Sequence, residues 1–195
     1  MTFDTIHEVH PRTWAALRTL SRVRHLALDV MPSQVPQLAQ LPAALEVLRV
    51  NVAEGLDDSV EVAWRPEELR GKPDMCRVLE AAGRLPRLRS LHTNAPGMEL
   101  HHGALAARLG ARMCALEDLD VSCYNLQLHD IAVLAHLPGL RHLYAWDLSG
   151  NLPGILREAY EKLVEQHASR GVEIMEVDTF DNTFTLAFED DRPCR

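Results

Sequence analysis

The heptad Leu137-Pro138-Gly139-Leu140-Arg141-His142-Leu143 repeats the leucines, proline and arginine of an earlier stretch, Leu85-Pro86-Arg87-Leu88-Arg89-Ser90-Leu91. Leu41-Pro42-Ala43-Ala44-Leu45-Glu46-Val47-Leu48 is the same phrase with one residue inserted. Leu20-Ser21-Arg22-Val23-Arg24-His25-Leu26 is the phrase without its proline. Each copy runs on to a further position two residues later, so the frame is L-x-x-L-x-L. Its units are Val23, Leu26 and Leu28; Leu45, Leu48 and Val50; Leu88, Leu91 and Thr93; Leu116, Leu119 and Val121; Leu140, Leu143 and Ala145. Val172, Met175 and Val177 make a weaker sixth.

Successive frames start 22, 43, 28, 24 and 32 residues apart. Four of these gaps have room for one helix, and the longest holds an additional excursion. Between frames the apolar residues change to helical spacing. Residues 11–20 place Trp14, Leu17 and Leu20 on one side. Residues 74–85 place Met75, Val78, Leu79 and Ala82 on one stripe behind Asp74, a good N-cap residue. Helices are expected also at 100–109, 130–137 and 155–168. Short parallel strands alternating with helices at this period predict an α/β solenoid.

On these phrases the chain resembles the leucine-rich repeat superfamily, from about Leu20 to Val177. The resemblance implies five to six repeats with terminal caps and a role in protein binding. In one respect the sequence departs from the family. The family usually carries Asn or Cys three residues after the block, where this chain has Met31, Ala53, Pro96, Tyr124 and Leu148. The loops after the strands must therefore satisfy their backbone groups in another way.

The expected organisation is a single domain over residues 1–195, with an N-terminal cap at 1–20 and repeats over 21–177. Glu54-Gly55-Leu56-Asp57-Asp58 and the alternating Val60-Glu61-Val62-Ala63-Trp64 read as a hairpin-like insertion within 53–73. An acidic C-terminal cap or tail occupies 178–195, with an alternating strand at Phe184-Thr185-Leu186-Ala187-Phe188.

The chain of 195 residues is 47% hydrophobic and 25% charged, with a formal charge of −8. That balance is globular and argues against nucleic acid as partner, because nucleic-acid binders carry a basic stripe. No apolar run reaches the ~18 residues of a membrane span. The first residues have neither the cationic start nor the apolar stretch of a signal peptide, so a cytoplasmic protein is expected. Cys76, Cys114, Cys123 and Cys194 lie too far apart for a zinc knuckle, and no cofactor is expected.

Side chains alternate between the faces of a strand, so the frame leucines point inward and the residues between them outward. In frame order, the second row outward reads Arg24, Glu46, Arg89, Glu117, Arg141 and the third His25, Val47, Ser90, Asp118, His142. The fifth reads Ala27, Arg49, His92, Asp120, Tyr144 and the seventh Asp29, Asn51, Asn94, Ser122, Trp146. The second row alternates in sign like a surface ion-pair ladder, each pair worth ~0–1 kcal/mol. The other rows bring His92, Asp118, Asp120, His142, Tyr144 and Trp146 together, with Arg49 and Asn94 beside them. Exposed aromatic residues among charges have the composition of a binding hot spot.

Between Gly171 and Asp191 stand seven acidic residues and no basic one. Arg192 and Arg195 offset two of these, leaving −3 of the −8 for everything before Gly171. Such a surface would steer a basic protein on association. The expected function is a non-catalytic protein-binding module, with an inhibitor or immunity-type protein of a basic enzyme as its sharper form by analogy with the ribonuclease inhibitors of the superfamily. Two alternatives stand against it. One is a metal- or acid–base-dependent enzyme built on the His/Asp cluster, for which the sequence offers no nucleophile motif or phosphate loop. The other is a structural subunit of a larger assembly.

Overall fold

The computed structural model describes residues 9–52, 74–94, 112–123, 134, 137–147, 172–178 and 183–188. Helix α1 (Pro11–Thr19) opens on His10, whose Nδ1 accepts the Arg12 N–H at 3.2 Å, with Pro11 in the first turn and Arg18 in the last. It buries Trp14 and Leu17. Strands β1 (His25–Val30) and β2 (Val47–Val52) flank a 3₁₀ segment, Pro32–Gln40, which buries Val35 and Leu38. Helix α2 (Asp74–Ala82) packs beside that segment, with Met75, Val78, Leu79 and Ala82 buried. Strands β3 (Ser90–Thr93), β4 (Asp118–Cys123) and β5 (His142–Asp147) follow.

The first five strands form a parallel sheet in chain order, with helices between them in sequence: an α/β fold. The frame explains their register. Leu26, Leu48, Leu91, Leu119 and Leu143 are mutual partners, and each is buried. So are Leu28, Val50, Thr93, Val121 and Ala145 two residues on. Shifting any strand by one residue would turn its leucines to solvent, and burying a leucine is worth ~1.5–3 kcal/mol, so the register is strongly held.

The L-P-x-L part of the phrase is a turn. Leu88 N–H donates to Leu85 O at 3.2 Å and Leu140 N–H to Leu137 O at 3.2 Å. Pro86 and Pro138 thus take the second turn position, where a fixed φ costs nothing. The same closure recurs without that proline from Val23 to Leu20 and from Leu116 to Met113. In the phrase with the extra residue it shifts by one, from Leu45 to Pro42. Beyond each turn one carbonyl serves two donors: Arg24 O accepts from the N–H groups of Glu46 and Val47, and Glu46, Arg89 and Glu117 do the same for the units that follow.

Gly139 has a separate reason. A Cβ there would lie 3.0 Å from Leu116 O and closer still to Cys114 O, both backbone atoms of the preceding turn. The matching position in the β3 phrase is the exposed Arg87. Successive turns therefore approach one another more closely at Gly139 than a side chain would permit.

After β1 a side chain from the next segment satisfies the backbone. Gln34 Oε1 accepts the Met31 N–H at 3.1 Å, while its Nε2 donates to Val9 O at 2.7 Å. Ala53, Pro96, Tyr124 and Leu148 lie outside the described residues, as do the expected insertion within 53–73 and the helices at 100–109 and 155–168. Of the helix expected at 130–137, Leu134 is helical and both it and Leu137 are buried.

The sixth frame does not continue the parallel order. Strand β6 (Val172–Asp178) contains it, yet β7 (Thr183–Phe188) lies between β5 and β6 and is antiparallel to both. Five parallel strands, not six, are therefore in sequence. Strands β6 and β7 pair as a hairpin with an irregularity at Ile174/Glu176, and the pair joins the sheet through β7. Antiparallel strands that follow one another in sequence need only a short connection, so β6 and β7 pair with each other whichever of them joins β5. Among the described residues, no helix is long and apolar enough to cross a membrane.

Candidate functional site

The rows read from the sequence are rows of the sheet. His25, Val47, Ser90, Asp118 and His142 are successive partners, as are Ala27, Arg49, His92, Asp120 and Tyr144. Ser122 stands opposite Trp146. All lie on the face away from the buried leucines, because they fall between them in the alternation.

Across this face two carboxylates meet two imidazoles on neighbouring strands. His142 Nδ1 lies 2.7 Å from Asp118 Oδ1, and His92 Nδ1 lies 3.1 Å from Asp120 Oδ2. All four side chains are 35–43% exposed, so each pair is worth at most ~1 kcal/mol. In the second row Arg24 and Glu46 close at 3.0 Å, and this is the single ion pair of that row among the described residues.

Ser90 is a residue that sequence reading placed in a row but gave no role. Its Oγ is 3.1 Å from His92 Nε2. With the proton on Nδ1 donated to Asp120, Nε2 accepts from the Ser90 hydroxyl, making a Ser–His–Asp line. The signal was available in principle, since Ser90 and His92 are two apart on one strand and Asp120 faces His92. Acyl transfer also requires free N–H donors for an oxyanion. The Ser90 N–H is already donated to Glu46 O at 3.0 Å.

Asn94 has a structural role at the end of β3. Strand β3 ends at Thr93, while β2 continues to Val52. The Asn94 N–H still reaches Val50 O at 3.4 Å, and its side-chain Oδ1 accepts the Val52 N–H at 3.2 Å. The amide completes the ladder where the strand backbone has stopped. Arg49, Asn51, His92, Asn94 and Asp120 line a shallow open depression of ≈ 240 Å³ across β1 to β4.

Tyr144 and Trp146 are 45% and 47% exposed, and they are the exposed large hydrophobic residues among the described ones. They stand between Asp120 and Ser122 of β4 on one side and Thr185 and Thr183 of β7 on the other. Further out in the same register come Glu176, opposite Thr185, and Asp178, opposite Thr183. The inserted hairpin thus places part of the acidic C-terminal stretch two strands from the aromatic pair, with the threonines of β7 between. The rest of that stretch, Asp181 and residues 189–191, lies outside the described residues.

The four His and Asp side chains form two separate pairs, and among the described residues no group of three or more His, Cys, Asp or Glu is placed to hold a metal ion. In comparison with known proteins, no family model matches the chain and no curated protein matches it significantly.

Proposed function

We propose that the chain is a non-catalytic protein-binding module, a divergent solenoid of the leucine-rich repeat kind, which takes a protein partner on its outer strand face. The observation that carries this reading is the half-exposed pair Tyr144 and Trp146, set side by side on a regular sheet among carboxylates. Large aromatic residues at such a place add little to the core and much to an interface. The in-register leucine columns and the recurring entry turn support the solenoid, with the β6–β7 hairpin ending it. In its sharper form the module is an inhibitor or immunity-type protein that covers a basic enzyme. Its negative charge supports that form by favouring encounter with a cationic surface. A cytoplasmic setting suits the thiols of Cys76 and Cys114, neither of which is in a disulfide.

The test is a pull-down at low and moderate salt with the parent protein and a variant carrying Tyr144→Ala, Trp146→Ala and Asp120→Ala. A protein held by the parent and lost by the variant is the expected result. Retention of the same proteins by both would move the binding site off this face. Light scattering of the purified chain separates the module from a self-assembling structural subunit.

A second reading has one specific observation in its favour, the Ser90–His92–Asp120 line, which has the connectivity of a hydrolase nucleophile and base. It predicts turnover of an activated ester that Ser90→Ala abolishes. Equal rates with parent and variant would retire it. The commitment of the Ser90 N–H to the sheet is why binding is placed first.

A further inference from the structure

Resting on the protein-binding reading, we infer that the aromatic pair is an arginine-reading site: Tyr144 and Trp146 receive one arginine side chain of the partner, whose guanidinium lies between the two rings and meets the carboxylates beside them. Residues two apart on a strand are separated by about 6.6 Å, since each residue rises about 3.3 Å. That is close to twice the thickness of a planar conjugated group, so the gap suits a flat cation better than a round one. Both side chains are about half exposed, which leaves ring surface open to solvent. Guanidinium is planar, weakly hydrated and stacks on aromatic rings, whereas the lysine ammonium is compact and strongly hydrated.

The charge around the pair selects a cation. In the third, fifth and seventh rows from β3 to β6 the register positions include Asp118, Asp120, Glu173, Glu176 and Asp178 and no lysine or arginine. Asp120 is the direct neighbour of Tyr144. Asp118 and Asp120 each present one oxygen to a histidine, which leaves the other oxygen for a guanidinium N–H. A nucleobase would also fit between two rings, but its phosphates would meet the same carboxylates and be repelled.

The experiment measures fluorescence anisotropy of labelled hexa-arginine and hexa-lysine peptides, which have equal charge, against the full chain, with a labelled oligo(dT) as third probe. Melting curves first establish that each variant is folded. Hexa-arginine should bind about fivefold more tightly than hexa-lysine. Tyr144→Leu and Trp146→Leu should each abolish that preference, Tyr144→Phe should keep it, and Asp120→Asn should weaken both peptides alike. Equal affinity for the two peptides, a preference that survives both leucine variants, or tighter binding of oligo(dT) would overturn the inference. If the peptides bind equally while the pull-down partner is still lost with Tyr144→Ala and Trp146→Ala, the arginine site falls and the protein-binding module stands. If that partner is retained as well, both fall.

Discussion

Thr93→Val should stabilise the protein, against the usual direction of that exchange. Thr93 occupies the inward column that is otherwise Leu28, Val50, Val121 and Ala145, and it is 5% exposed. Its Oγ1 is buried with no hydrogen-bond partner. A hydroxyl taken from water without compensation costs ~1–3 kcal/mol in proteins. Valine keeps the branched shape and β preference of threonine, fills the same volume and removes the unpaired oxygen. The expected gain is ~1–2 kcal/mol, which for a chain of this size raises Tm by roughly 2–4 °C per kcal/mol. Urea unfolding followed by circular dichroism measures it, with the midpoint rising at constant slope. Val121→Thr, one strand along in the same column, is the mirror-image control and should lose a similar amount. If Thr93→Val is neutral or destabilising while Val121→Thr behaves as expected, the Thr93 hydroxyl has a partner after all, and the reasoning from its isolation is wrong.

Gly139→Ala should cost ~1–3 kcal/mol or more, because the new methyl is driven into the carbonyls of Cys114 and Leu116, while Arg87→Ala at the matching position should be within ~0.5 kcal/mol of the parent; paired thermal melts check both. Asn94→Ala should lower stability by ~1 kcal/mol through loss of the acceptor for the Val52 N–H, and hydrogen exchange at Val52 should rise selectively; an unchanged melt with weakened partner binding would instead assign Asn94 to the interface. Leu119→Ala, fully buried in the central leucine column, should cost ~2–5 kcal/mol by urea unfolding, and a loss below ~1 kcal/mol would contradict the register that buries it.

Much of the face was legible because one frame fixes both periodicity and neighbours. When leucines recur at identical offsets, parallel strands can bury them together in just one register, and the outward residues then fall into rows without further information. Arg49, His92, Asp120 and Tyr144 share a row for that reason. The roles within the rows were less legible. Asn94 carries a structural role that the rows do not show: β3 stops two residues short of the end of β2, and the amide takes over a backbone bond. Strand length depends on the local turn, which the frame does not encode. The rows do not mark the Ser90 hydroxyl, because its significance depends on the ring of His92 lying between it and Asp120. The sixth frame identified a strand correctly and its neighbour wrongly. An apolar spacing shows that a strand can be buried, whereas the choice of neighbour also depends on the strand that follows, and here β7 is alternating and near enough to compete.

The misplaced sixth strand bears on where binding energy can come from. Had β6 followed β5 in parallel, Tyr144 and Trp146 would have stood next to the acidic strand. With β7 inserted, Thr185 and Thr183 occupy the places beside them, and Glu176 and Asp178 stand one strand further out, about 9–10 Å from the aromatic positions at the usual strand spacing. At that separation carboxylates act on an incoming cation through the field and not through contact, and at 0.15 M salt a Debye length of ~8 Å largely screens them. Contact belongs to Asp120, which is adjacent to Tyr144. On the protein-binding reading proposed above, the two acidic groups divide in effect: the acidic positions of β6 would set the rate of encounter and its salt dependence, while Asp120 and the two rings would set how long a partner stays. The core leucines on the opposite face supply the burial that folding needs, so substitutions on the outer face can change binding, as proposed, with little change in stability.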